Sequence, residues 1–144
     1  MKKNMTMHKI PDLAISAAKV ATIIAKARQF DVKDVVTDPD TSSNASDDAM
    51  LSVLEDHRDD PVQSELTAII RGLNEDEQID LVALAWLGRG DGDVTDWDDL
   101  RSEAARAHNK RTAEYLLGMP TLGDALEEAL AQFGHSAEEF EQPL

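Results

Sequence analysis

Two segments concentrate the side chains that can do chemistry. The first is WLGRGDGDVTDWDDL, residues 86–100, where Asp91, Asp93, Asp96, Asp98 and Asp99 fall within nine positions, just after Trp86 and Arg89. The second is HNKRTAEYLLG, residues 108–118, which carries His108, Arg111 and Tyr115. Closely spaced carboxylates are the raw material of a calcium loop or an acid–base site. A histidine, an arginine and a tyrosine at helical spacing suit anion binding or proton transfer.

The calcium reading fails on spacing. An EF-hand loop wants Gly at position 6 and a bidentate Glu at position 12. Counting from Asp91 places Asp96 and Ser102 there, and counting from Asp38 places Ser43 and Ala49. The acidic run reads instead as the first turn of a helix capped by Thr95, with Asp96, Asp98 and Asp99 at the positive end of the helix dipole. The histidines His8, His57, His108 and His135 do not fall in ligand spacing, and the absence of cysteine excludes a thiolate zinc site, a disulfide framework and a Cys nucleophile. No metal and no cofactor are expected. A phosphate-cradling Gly-rich loop, a His-Glu-x-x-His pair and a nucleophile elbow are all missing. The tripeptide Arg89-Gly90-Asp91 matches a cell-adhesion signal but has no supporting context, and Arg89 is expected to pair with nearby aspartates.

The candidate ligand-binding set is therefore Trp86, Arg89, Asp91, His108, Arg111 and Tyr115. Against it stands a plainer reading, in which His108 and Tyr115 continue an apolar stripe begun by Trp97 and Leu100.

Helices must position these residues. Leu13, Ile15, Val20, Ile23, Ile24, Ala27 and Phe30 make an apolar stripe that predicts a helix from about Asp12 to Phe30. A polar loop follows at about 31–46, rich in Asp, Ser, Asn and Thr. Ser46 then caps a short helix, Asp47 to about His57. Asp60-Pro61 starts the next one, with Val62, Leu66, Ile69, Ile70 and Leu73 on one face. Asn74 and Glu77 form a capping box ahead of Ile79–Leu87, which is apolar nearly all round and must be buried between other helices. Gly88 reads as its stop. A helix from 96 runs either unbroken to Leu117 or with a kink near Asn109. Leu122, Leu126, Ala129, Leu130 and Phe133 mark the last one, ended by Gly134, with a flexible tail at 135–144. The fold class is all-α: a single domain of about six helices around a buried central helix at about 75–87.

Charge narrows the partners. The net charge is −15, yet residues 1–33 carry seven Lys/Arg against Asp12 and Asp31, a net +5, which leaves −20 on the remainder. The acidic body should repel nucleic acid and anionic membrane. No apolar run approaches the ~20 residues of a membrane span, and the amphipathic N-terminal stretch, split by Lys19, reads as a helix of the mature protein rather than a signal peptide. A cytoplasmic location is expected.

The segments KARQFDVKDV, DPDTSSNASDD, LNEDEQIDLVALAWLGRGD and HNKRTAEYLLGMPTLGDALEEAL resemble, collinearly over about residues 20–134, an uncharacterised family of small acidic proteobacterial proteins. The resemblance implies a single-domain bacterial protein and no particular reaction. The blocks Trp86–Asp91 and His108–Gly118 are the strongest part of it, so a site would join them.

Two functional readings follow. The first is a non-enzymatic cytoplasmic interaction or regulatory module that binds another protein or a second copy of itself. It is motivated by the all-round apolar helix and the opposite charges of the two chain regions. The second is a small-molecule binder or enzyme with a pocket between the 86–91 and 108–118 segments.

Overall fold

The computed structural model describes residues 10–37 and 61–136, with side chains over 10–30 and 61–136. Asn74 is extended (φ −75°, ψ 173°), and its side-chain oxygen accepts from the Glu77 N–H at 2.8 Å while Glu77 Oε1 accepts from the Asn74 N–H at 3.0 Å. This reciprocal pair satisfies two backbone donors at the helix start. The helix it opens, Glu75–Gly88, has no side it can leave in water. Ile79, Leu81, Val82, Ala83, Leu84, Ala85 and Leu87 are all buried.

The surrounding helices meet that demand. Among the described residues the elements are α1 (Ala17–Thr37), α2 (Pro61–Gly72), α3 (Glu75–Gly88), a 3₁₀ turn (Val94–Asp96), α4 (Trp97–Ala107), α5 (Thr112–Leu117) and α6 (Leu122–Gln132). Helices α4 and α6 pack most extensively on α3, α1 lies on α6 and α2, and α5 bridges α2 and α3. No strand occurs among the described residues. The architecture is a compact all-α bundle around α3. Trp97 and Phe133 close one part of the core edge-to-face, with ring centroids 5.0 Å apart.

Several local expectations change. Helix α1 starts later than expected and continues to Thr37, into the segment read as the beginning of the 31–46 loop. Asp and Val at 31–36 continue a helix already begun, because propensity is a weak prior beside an established hydrogen-bond ladder. The helix expected at Asp47–His57 and most of the 135–144 tail lie outside the described residues. The acidic turn is capped by Asp93 rather than Thr95: Asp93 Oδ1 accepts from the Thr95 N–H at 2.9 Å, and Asp96 Oδ2 accepts from the Asp93 N–H at 3.0 Å. Thr95 supports this cap by donating its hydroxyl to Asp93.

Helix α3 ends at Gly88, as expected, but Gly88 is not the left-handed residue of that stop. The left-handed residue after α3 is Gly90, at φ 101°. A Cβ placed on Gly88 would lie 1.6 Å from the Ala125 carbonyl oxygen, so this glycine lets the α3 and α6 backbones touch. The shared spacing of α2 and α6 also does not reflect a shared partner, since α6 packs on α3 and α1 while α2 packs chiefly on α1 and α5.

Among the described residues, the one carboxylate buried to the same degree as the α3 leucines is Asp80, 1% exposed. Its oxygens accept from the Ala14 N–H, from the Ile15 N–H at 3.4 Å, and from Arg101 Nε at 2.5 Å. A buried charge persists where it is paired and hydrogen-bonded. Here the pairing ties both α4 and the segment preceding α1 to the central helix. Arg101 also approaches Asp76 at 3.6 Å, and its hydrogen bond to Asp80 raises its pKa above the usual guanidinium value.

The basic first helix docks on the chain's own acids. Lys19 pairs with Glu77 at 2.7 Å, Lys26 with Glu65 at 2.8 Å, and Arg28 with Asp124 at 2.9 Å and with Glu127. No helix among the described residues is long and apolar enough to cross a membrane.

Candidate functional site

The region that joins the two candidate segments is built where α4 stops. Helix α4 ends at Ala107, and His108 takes an extended conformation (φ −61°, ψ 135°). Asn109 keeps the chain out of the helix: its side-chain oxygen accepts from the Arg111 N–H at 2.7 Å, a local turn that competes with helical bonding. Thr112 donates its hydroxyl to the Asn109 carbonyl at 3.2 Å as α5 begins. The helix is therefore broken rather than continuous to Leu117, and the stripe from Trp97 through Tyr115 loses its phase. Thr112 is buried, His108 is half-buried, and Tyr115 is 44% exposed.

Between this break and the C-terminal half of α3 lies a cleft of about 190 Å³. Val82, Ala104 and Ala107 supply apolar lining, Trp86 and Tyr115 supply aromatic rings, and His108, Asn109, Arg111 and Thr112 supply polar groups. The small side chains of Ala104 and Ala107 leave the space that Leu or Met at these positions would fill.

Four of the six candidate residues, Trp86, His108, Arg111 and Tyr115, line the cleft directly. The other two stand outside the lining and connect to it through Trp86. The indole Nε1–H of Trp86 donates to Tyr115 Oη at 2.7 Å. The Arg89 guanidinium carbon sits 6.0 Å from the Trp86 ring centroid, and Arg89 Nε donates to Asp91 Oδ2 at 2.8 Å. Partial burial opposes the Arg89 charge. The hydrogen bond and attraction to Asp91, aided by the Tyr115 oxygen, outweigh it and raise its pKa. Asp91, Arg89, Trp86 and Tyr115 thus form a connected chain of side chains beside the cleft.

His108 is held by a residue that the sequence reading did not select. Gln78 Nε2 donates to the carbonyls of Ile70 at 2.9 Å and Leu73 at 3.4 Å, which leaves Gln78 Oε1 to face His108 Nε2 at 2.8 Å. Because Oε1 can only accept, the His108 proton sits on Nε2. His108 Nδ1 lies 4.0 Å from Glu75 Oε2. The only signal for Gln78 in the sequence was a hydrogen-bonding residue next to an apolar helix, and for Asp80 a single acid inside that apolar run. Val82, Ala104 and Ala107 carried no signal at all, because nothing distinguishes a floor residue from a core residue before the helices are packed.

The lining of the cleft carries one guanidinium, that of Arg111, and no Asp or Glu. Arg111 is also the exception among the described arginines: Arg28, Arg71, Arg89, Arg101 and Arg106 each have a carboxylate within 4 Å, and Arg111 has none among the described residues. Its field reaches Glu114, but that carboxylate is held below its usual pKa first by a backbone N–H and then by Arg71, with Arg111 a lesser contributor.

The aspartates at 91–99 do not converge. Asp91 pairs with Arg89, and Asp93 and Asp96 cap the 3₁₀ turn. No group of three metal-ligating side chains meets among the described residues.

Residues 63–135 match the family described as Protein of unknown function (DUF3775), just over half of the chain. The protein belongs to this family. The DUF3775 match spans nearly all of α2 and all of α3 through α6, so all six candidate residues and the whole cleft lie inside it. Helix α1 and the KARQFDVKDV and DPDTSSNASDD blocks of the wider resemblance fall outside the DUF3775 match. No curated protein and no solved structure matches the chain.

Proposed function

We propose that this protein is a small-molecule-binding module whose site is the cleft between the C-terminal half of α3, the end of α4 and the start of α5. The supporting observation is the combination of an apolar floor with convergent polar groups in one concavity, the usual composition of a ligand site. Its volume of about 190 Å³ suits a compact ligand. For scale, a dry cavity of roughly 150 Å³ holds benzene.

The competing reading, a protein-interaction module, rested on the apolar helix and the basic N-terminal region. Helix α3 is covered by the chain's own helices, and the described basic groups of α1 pair with the chain's own acids. Those observations therefore give a partner protein little support. A bacterial cytoplasmic setting fits the cysteine-free composition and the wider family resemblance.

A fragment screen by ¹H–¹⁵N NMR tests the reading. Fragments of one ring or a short chain should shift the Trp86 indole N–H and the backbone of residues 108–112. Ala107→Leu, which projects extra bulk into the cleft from an exposed position, should abolish these shifts while leaving the rest of the spectrum in place. A screen in which no fragment moves Trp86 would remove the proposal.

A further inference from the structure

Building on the cleft as a ligand site, we propose that its ligand is a small monocarboxylate with an apolar body no larger than one ring, its carboxylate held by Arg111. Two observations converge. The lining of the cleft carries the Arg111 guanidinium and the His108 imidazole and no Asp or Glu, although the protein as a whole carries a net charge of −15. Arg111 has no carboxylate within 4 Å among the described residues, while every other described arginine has one. In so acidic a chain, a cation without a close partner at a cavity rim is the group left over for a ligand.

Geometry selects the carboxylate class over a larger anion. A guanidinium presents a planar fork of donors that matches the two oxygens of a carboxylate. Neutral donors stand alongside it. Tyr115 Oη accepts from Trp86 and keeps its own proton to donate, and the Asn109 amide NH₂ is free to donate because its oxygen is engaged by the Arg111 N–H. The apolar remainder of the ligand would rest on Val82, Ala104 and Ala107, and a volume of about 190 Å³ is too small to enclose a nucleotide. Arg89 is not the anchor, because Asp91 already occupies its Nε–H.

The test uses the full chain and three probes of one shape: benzoate, benzyl alcohol and benzylamine, titrated while the Trp86 indole resonance is followed. Benzoate should bind roughly tenfold more tightly than benzyl alcohol, the scale of one charge-assisted hydrogen bond at a partly exposed site, and benzylamine most weakly. Arg111→Gln should remove the preference for benzoate over benzyl alcohol, and Arg111→Lys should restore only part of it. Equal binding of benzoate and benzyl alcohol would overturn the carboxylate assignment while the cleft survives as a ligand site. A benzoate preference that persists in Arg111→Gln would overturn the role of Arg111. If none of the three probes shifts Trp86, both this inference and the binding reading fall.

Discussion

Asp80 lies in the N-terminal half of α3 and the cleft beside its C-terminal half, and the two regions use polar groups in opposite ways. Asp80 is 1% exposed and every donor around it points inward: two backbone N–H groups and Arg101. Along the cleft Trp86, His108 and Tyr115 are tied to one another or to Gln78, but Arg111 has no carboxylate within 4 Å among the described residues. Complete satisfaction makes the first region a clamp for the fold. Incomplete satisfaction at a concavity leaves the second with capacity for a ligand. The buried Asp serves the fold, and the proposed binding role falls to an exposed Arg.

The comparison can be broken most decisively at Asp80. Asp80→Ala leaves two backbone donors and the Arg101 guanidinium without their acceptor, and should cost about 3–5 kcal/mol in denaturant unfolding. A loss below about 1 kcal/mol would mean that water reaches these groups and that the region is no clamp. Gly88→Ala comes next. The added Cβ meets backbone rather than a flexible side chain, so α3 and α6 must separate, at a cost of about 2–3 kcal/mol. Unfolding curves that match the parent would show that the close helix approach is not needed.

Acid should act on the N-terminal end of α3. Glu77 is held below its usual value of 4.5, first by the Lys19 hydrogen bond and then by the Asn74 backbone N–H. A depressed folded pKa contributes stability that is fully present above the unfolded value and disappears as pH falls through the folded one. The stability difference between the parent and Glu77→Gln should thus be constant near neutrality and shrink as pH drops below about 4.5. A difference that does not change with pH would assign the effect of Glu77 to packing. The smallest effect is expected at Arg111. Arg111→Gln should leave stability within about 0.5 kcal/mol of the parent, as for a surface side chain with no close partner. A loss comparable to that at Asp80 would make Arg111 a structural residue and erase the contrast.

Much of the helical order was legible because each signal was local. The Asn74–Glu77 box, Pro61 at the first position of α2, and the apolar spacings of α2 and α6 each depend on residues within a few positions of one another. The errors share a cause as well. Thr95 and Asp93 are both competent caps, and which one serves was settled when Asp96 turned back to the Asp93 N–H. Gly88 is the last residue of α3, as read, but the reason for a glycine there is the Ala125 backbone and not a left-handed turn.

The sequence by itself determined that this protein is helical and that α3 is its centre, and it offered Trp86, Arg89, Asp91, His108, Arg111 and Tyr115 as candidate site residues. Periodicity, capping and composition are properties of neighbouring residues and need no packing to be read. Only the tertiary structure decided that Asp80 is a clamp, that Gln78 orients His108, that Ala104 and Ala107 leave a space, and that Arg111 has no close carboxylate among the described residues while Arg89 has one. Burial, cavity and charge pairing arise between residues distant in the chain, and they exist only once α3, α4 and α5 have packed together.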